Sequence, residues 1–295
     1  RPVLRPFGSP DPPDLTRLIL AAFLIFPGLA PVILGIFWTP YSPTAVTDAP
    51  FSPPSLSHPF GTDWFGRDVL SRVMVGGRAS WAVATLSIGA SSLFGIALGL
   101  SAGYFGGLWE TILLQVSNGI LAFPSILLAL VLAVVLGRGL TGVTLALTLF
   151  NLPYFLRLAH AGTLALKEQG FIMASISAGA GTFHVLRRHI LPNLASPFLV
   201  QATFALGTTL LAEASLSYLG LGIQPPNPSW GRMLQEAQSW LGQSFWPALF
   251  PGLVLFSAVL GLNILGDLLR DLLDPRLRPI LKSFRPLQGA RHKGG

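Results

Sequence analysis

Apolar windows long enough to form membrane-crossing helices recur along this chain, near 18–38, 81–103, 112–136, 140–159, 198–219 and 247–268. Each holds about 20 residues, the length a helix needs to cross roughly 30 Å of hydrocarbon. The pattern predicts an all-α membrane protein with six transmembrane helices. Five is the alternative count, because only the GRGLTG stretch at 137–142 parts the third window from the fourth. In the second window Ser87, Ser91, Gly95, Gly99 and Gly103 recur every four residues, a ridge of small side chains that lets another helix approach closely, within this chain or from a neighbour. Pro124 and Pro153 fall inside the third and fourth windows, where the missing N–H and the ring favour kinks.

Charge supports the same reading. Charged residues are 11% of the 295 and hydrophobic ones 51%, against about 25% charged in a soluble domain. A net charge of +7 would suit nucleic acid in a soluble protein, but here its distribution is that of a membrane topology. With the N-terminus inside, fourteen Lys and Arg lie on the inner side: three before the first window, four around the 160–197 loop and seven from Arg270 onward. Five lie outside, as the positive-inside rule requires. The expected layout is a cytoplasmic segment 1–17, a first span 18–38, an outer segment 39–80, a five-helix bundle 81–268 containing a cytoplasmic loop 160–197, and a cytoplasmic tail 269–295. The first span is too long for a usual signal core and further spans follow it, so it is read as retained. The sequence has no Cys, hence no disulfide or thiolate site.

Polar groups at membrane depth are few. Glu213 stands in LLAEASLSYLGLG, and a lone carboxylate there must face protein or a watery path. Glu213, Asn118 and Asn263 are candidate pathway or gate residues; hydrogen bonding between helices is the alternative, and the expected role of Asn151 and Gln201 too. No G-x-x-x-x-G-K-[ST] phosphate loop occurs, so no ATP site is expected in this chain. The G-x-G-x-x-G at Gly137, Gly139 and Gly142 joins two spans, follows no strand and is read as chance. His184 and His189 stand five apart, which an α-helix does not put on one face, so no metal site is expected. A secondary transporter would need midplane ion sites in repeated halves, and an intramembrane enzyme paired catalytic groups at depth; neither pattern is present.

The loop KEQGFIMASISAGAGTFHVLRRHILPN carries the most information. Residues 165–178 predict a helix, Gly179 and Gly181 a break, and Thr182 a cap for a second helix to Leu191, ended by Pro192. Phe183, Leu186 and Ile190 would form an apolar stripe, with His184, Arg187 and Arg188 facing elsewhere.

This loop resembles the EAA loop of permease subunits in ATP-binding-cassette importers. Gly179 and Ile190-Leu191-Pro192-Asn193 match the pattern; Met173-Ala174-Ser175 keeps only its middle Ala, and Met173 removes the motif's Glu. HPFGTDWFGRDVLSRVMVGGR (58–78), ILAFPSILLAL (120–130), SYLGLGIQPPNPSWGRML (217–234) and NILGDLLRDLLDPRLR (263–278) resemble blocks of the dipeptide, oligopeptide and nickel importers, in the second of their two paired permeases. The resemblance implies a type I importer permease of a prokaryotic cytoplasmic membrane, with both termini inside and no enzymatic chemistry of its own. It implies as partners a homologous permease, two cytoplasmic ATPase subunits holding ATP and Mg, and an extracytoplasmic substrate-binding protein. Alternating access would move a peptide, or alternatively nickel or a glutathione-like compound. The ATPase-docking residues would be Phe171, Ile172, Met173, Ala174, Ser175, Gly179, Ala180, Gly181, Phe183, Arg187 and Arg188.

On the outer side Asp63, Arg67, Asp68 and Arg72 form a charge cluster, and Asp63, Arg67, Asp68 and Trp230 are candidate rim residues for the binding protein. Trp64, Trp81, Trp230 and Trp246 fit interfacial anchoring equally well. At the inner end Asp267 with Arg270 or Asp271, and Arg270 with Asp274, stand at helical spacing for surface pairing.

Overall fold

The computed structural model describes residues 15–273, and its regular elements are helices. In chain order they are α1 (Leu15–Phe37), α2 (Val69–Phe105), α3 (Gly107–Leu121), α4 (Ser125–Leu136), α5 (Leu140–Lys167), α6 (Gly170–Ser177), α7 (Thr182–Val185), a π turn (Leu186–Ile190), α8 (Leu191–Asn193), α9 (Ala195–Tyr218), α10 (Trp230–Gln238) and α11 (Trp246–Leu273). Five are long and apolar enough to cross a membrane: α1, α2, α5, α9 and α11. α3 and α4 together are apolar enough for a sixth but diverge by 102°, the shape of a broken span or a re-entrant loop. Pro124 sits at that break, where its ring and missing N–H end α3 rather than merely bend it. Pro153, in contrast, lies inside an uninterrupted α5.

α2 starts twelve residues before the apolar window that announced it. Its 37 residues span about 55 Å at 1.5 Å per residue, far more than the hydrocarbon requires. The early start follows from Asp68, whose carboxylate accepts from the Ser71 backbone N–H at 2.7 Å and so caps the helix. The extra turns pack under α10, with the buried Trp230 indole donating to the Val73 carbonyl at 3.0 Å.

The small-residue ridge of α2 lies along α5. A Cβ on Gly95 would stand 2.8 Å from the Leu152 carbonyl oxygen, one on Gly103 2.8 Å from Thr163 Cβ, and one on Gly99 would collide with the Leu156 carbonyl oxygen. The ridge therefore serves packing within the chain, where missing side chains let two backbones touch. Gly99→Val is expected to destabilise the protein by about 1–3 kcal/mol through overpacking. Gly89→Val, which meets nothing within 4 Å, is its control. Thermal unfolding of the two purified variants reads the difference.

α9 and α11 complete the bundle. Leu210, Ala214, Trp230, Val254 and Leu255 share one core with Val69 and Val73 at the N-terminal end of α2. A second core, at the C-terminal end of α2, seats the loop between α5 and α9.

Candidate functional site

The loop after α5 folds as helix, glycine break, helix. Gly179 takes φ +88°, a left-handed conformation open to glycine at little cost, and its N–H returns to the Ile176 carbonyl at 2.9 Å. The second helix differs from the sequence pattern in three ways. Gly181, not Thr182, occupies the cap position, and no side chain caps there. Pro192 does not stop the helix: the π turn widens the backbone ahead of it and α8 carries on through the proline. That turn also rotates the apolar stripe, because a π turn brings i and i+5 into register. Val185 and Ile190 are therefore the buried pair, whereas Phe183 is 72% exposed. The same turn brings His184 and His189 together, with ring centroids 5.6 Å apart, against the α-helical expectation.

Two faces result. Ile172, Val185 and Ile190 are buried against Leu100 of α2, Ala159 of α5 and Phe198 of α9, so the unit is seated on the C-terminal ends of α2 and α5 and the N-terminal end of α9. Ser175 Oγ lies 3.2 Å from His189 Nε2, joining α6 to the π turn, and Lys167 Nζ donates to the Gly103 carbonyl at 3.0 Å. The opposite face carries exposed Phe171, Met173, Ile176 and Phe183 beside exposed Ala174, Gly179 and Gly181, with Ala180 half-buried. Phe183, His184, Arg187, Arg188 and Pro192 line a groove of about 530 Å³ there. Of the expected docking residues, Ile172 faces inward and acts as an anchor; the rest of the set is wholly or partly accessible.

The candidate rim residues are arranged differently. Asp68 is fully buried; besides capping α2 it accepts from Ser71 Oγ at 2.6 Å and meets His58 Nδ1 at 2.9 Å. Asp63 and Arg67 are buried in a network with Arg72 and Glu236: Arg67 Nε donates to Asp63 at 2.6 Å, and Arg67 and Arg72 donate to Glu236 Oε2 at 3.2 and 2.9 Å. Arg232 closes it on Glu236 Oε1 at 3.2 Å. Trp230 has no exposed surface. These four residues hold the segment before α2 and α10 together within the chain, and present little or no surface as a rim; Trp230 is likewise not an interfacial anchor. Asp68→Ala is expected to cost about 1–2 kcal/mol, the value of a helix cap, read as a lowered Tm.

Glu213 is fully buried; Ser217 Oγ, one turn along the same helix, donates to its Oε1 at 2.6 Å, and the carboxylate lines neither the groove along α9 nor that between α1 and α11. Asn118 accepts from Arg157 at 2.9 Å, and half-buried Asn263 lies beside Gly207 on α9. Asn151 bonds to the Leu147 carbonyl and to Thr209 Oγ1, the interhelical role expected of it. Near the end of α11 Asp271 pairs across helices with Arg17 at 3.9 Å rather than along α11, and the expected Arg270–Asp274 pair lies outside the described residues.

Residues 95–279, well over half of the chain, match the family model of the binding-protein-dependent transport system inner membrane component. The chain belongs to this family of importer permeases. Within it, the dipeptide transport system permease protein DppC of Alkalihalophilus pseudofirmus is 38% identical over 261 residues, which cover 88% of this permease and 84% of the relative. The glutathione transport system permease protein GsiD of Escherichia coli is 44% identical over 225 residues, 76% of this permease and 74% of the relative. An inward-facing structure of the MetNI methionine ABC transporter matches with a TM-score of 0.55 at 19% identity, covering 68% of this permease and 95% of that chain. At that identity the likeness is one of fold, and it is the type I permease fold. The matched family region takes in the whole α6–α8 unit, so the permease carries it within the part it shares with its family.

Proposed function

We propose that this permease forms half of the transmembrane path of an ATP-driven importer for short peptides, pairing with a homologous permease and receiving substrate from an extracytoplasmic binding protein. The observation that carries the substrate class is the 38% identity to a dipeptide permease across 88% of this chain. The 44% identity to a glutathione permease favours a second reading, import of that tripeptide-like compound. The α6–α8 unit lies on the cytoplasmic side, with both termini, and docks onto the pair of ATPase subunits, which bind ATP with Mg and hydrolyse the ATP. Its exposed aromatic and aliphatic residues enter apolar clefts, while Arg187 and Arg188 meet acidic groups on the ATPases. ATP favours one conformation of the complex, and the unit transmits that preference because it is seated on α2, α5 and α9. Reconstituted with all partner subunits in liposomes, the complex is expected to take up radiolabelled dipeptide only with ATP. Uptake of glutathione but no dipeptide would select the second reading, and uptake that persists without the ATPases would refute both.

A further inference from the structure

Two cavities on one side of the bundle share Gln201 and Phe204 in their walls, so they form one groove. The first part, about 490 Å³, lies among α4, α5 and α9 and carries the polar side chains of Asn151, Tyr154, Thr208 and Ser215. The second, about 640 Å³, continues past Ser196 and Asn193 to Arg270 near the end of α11. From Ser196 to Ser215 the lining positions on α9 recur every three or four residues, which is one helix face. At 1.5 Å per residue they run about 28 Å, nearly the full depth of the hydrocarbon.

A second groove on the same molecule provides the contrast. Between α1 and α11, about 410 Å³ is lined by Ala, Leu, Ile and Phe alone, a surface suited to lipid chains. The α9 groove is not suited to them. Among the described residues neither the Gln201 amide nor the Tyr154 hydroxyl has a hydrogen-bond partner, and both face this groove at membrane depth. Such groups in hydrocarbon cost several kcal/mol each, on the order of an unmade hydrogen bond in an apolar medium, so water or a polar solute must reach them.

We propose that this groove is the chain's wall of the substrate path, and that Arg270 at its inner mouth receives the substrate's terminal carboxylate; this rests on the reading of the chain as a peptide importer. Among the described residues Arg270 is the one charged residue in the groove's lining, and no carboxylate among them lines it. Its neighbour Asp271 is turned to Arg17. A guanidinium matches a carboxylate with two parallel N–H donors, and short peptides carry that group whatever their side chains. Phe150, Tyr154 and Phe204 offer apolar surface to those side chains without selecting among them.

The absence of Cys makes the test direct. In the whole complex in nanodiscs, open to water on both sides, Gln201→Cys and Thr208→Cys are expected to react with a charged methanethiosulfonate at least about tenfold faster than Ile25→Cys in the α1–α11 groove. A dipeptide is expected to slow that reaction. Adding Arg270→Gln should raise the dipeptide concentration needed for protection about tenfold, the loss of one charge-assisted contact, with Arg270→Lys recovering part of it. Groove cysteines as slow as Ile25→Cys, both without nucleotide and with ATP, would overturn the path. Protection indifferent to Arg270→Gln would overturn the carboxylate contact. The complex with this chain unaltered separates these failures from the import reading: if it takes up dipeptide while the groove stays unreactive, only the path assignment falls.

Discussion

Gly179→Pro in the assembled transporter is expected to lower ATP-driven uptake about tenfold or more while the ATPases continue to turn over. The residue sits at φ +88° and donates its N–H to Ile176 at 2.9 Å. Proline permits neither, since its φ is held near −65° and it has no N–H. The strain, about 1–3 kcal/mol and more with the lost bond, falls between α6 and the π turn, which together hold the exposed docking face. About 1.4 kcal/mol is already a tenfold change in an equilibrium, so a misplaced α7 is enough to lose coupling. Replacing Arg187 and Arg188 by Glu is expected to give the same phenotype through charge alone, with the fold intact. Gly170→Ala, in a helical position with no atom near, is the control and should import normally. Uptake and ATP hydrolysis measured on the same liposomes, with Tm confirming that the bundle is undisturbed, decide this; tight coupling in the Arg variants would refute docking through the basic groove.

Glu236→Ala is expected to destabilise the protein by about 3–5 kcal/mol, the cost of leaving a buried charge without its partner. Arg72 is 1% exposed and its nearest carboxylate is Glu236; the Asp63 oxygen stands at 3.5 Å and is already engaged by Arg67. The guanidinium would keep only the Pro43 carbonyl, 3.2 Å from Nη1, and the shared Asp63 oxygen. A Tm lowered on the order of 10 °C follows for a chain of this size. Combining Glu236→Ala with Arg72→Met should restore much of it, because Arg67 and Asp63 keep one another and no orphan charge remains. Arg232→Gln, at the edge of the network, is expected to cost about 1 kcal/mol or less. If the double variant is no more stable than Glu236→Ala alone, the uncompensated Arg72 is not the cause.

The spans, the ridge on α2 and the helix–glycine–helix loop were legible in the sequence because each is periodic over neighbouring residues. What escaped was of two kinds. The π turn depends on how Pro192 is accommodated, and it moved Phe183 outward, brought Val185 inward and paired His184 with His189. An α-helical wheel assigns those faces wrongly at the first extra residue per turn. The outer cluster escaped because its decisive partner, Glu236, is 169 residues from Arg67 in sequence. Charges that read as an exposed rim are buried by a helix, α10, whose placement no local pattern announces. The early start of α2 at Asp68 was legible as a capping residue but was masked by the polar, glycine-rich turns that follow it. The groove along α9 was only half visible: Gln201 stood out as polar at depth, while its alignment with Arg270 required the bundle.

One measurement bears most directly on the claim that an ATP-driven motor grips the α6–α8 unit. With Phe183→Cys as the sole cysteine of this chain, a short thiol-to-amine cross-linker applied to the complete complex is expected to join it to an ATPase subunit, giving a product of their summed mass that is lost on adding Arg187→Glu and Arg188→Glu. A cross-link to the binding protein instead, or none to any ATPase in either nucleotide state, would contradict the account.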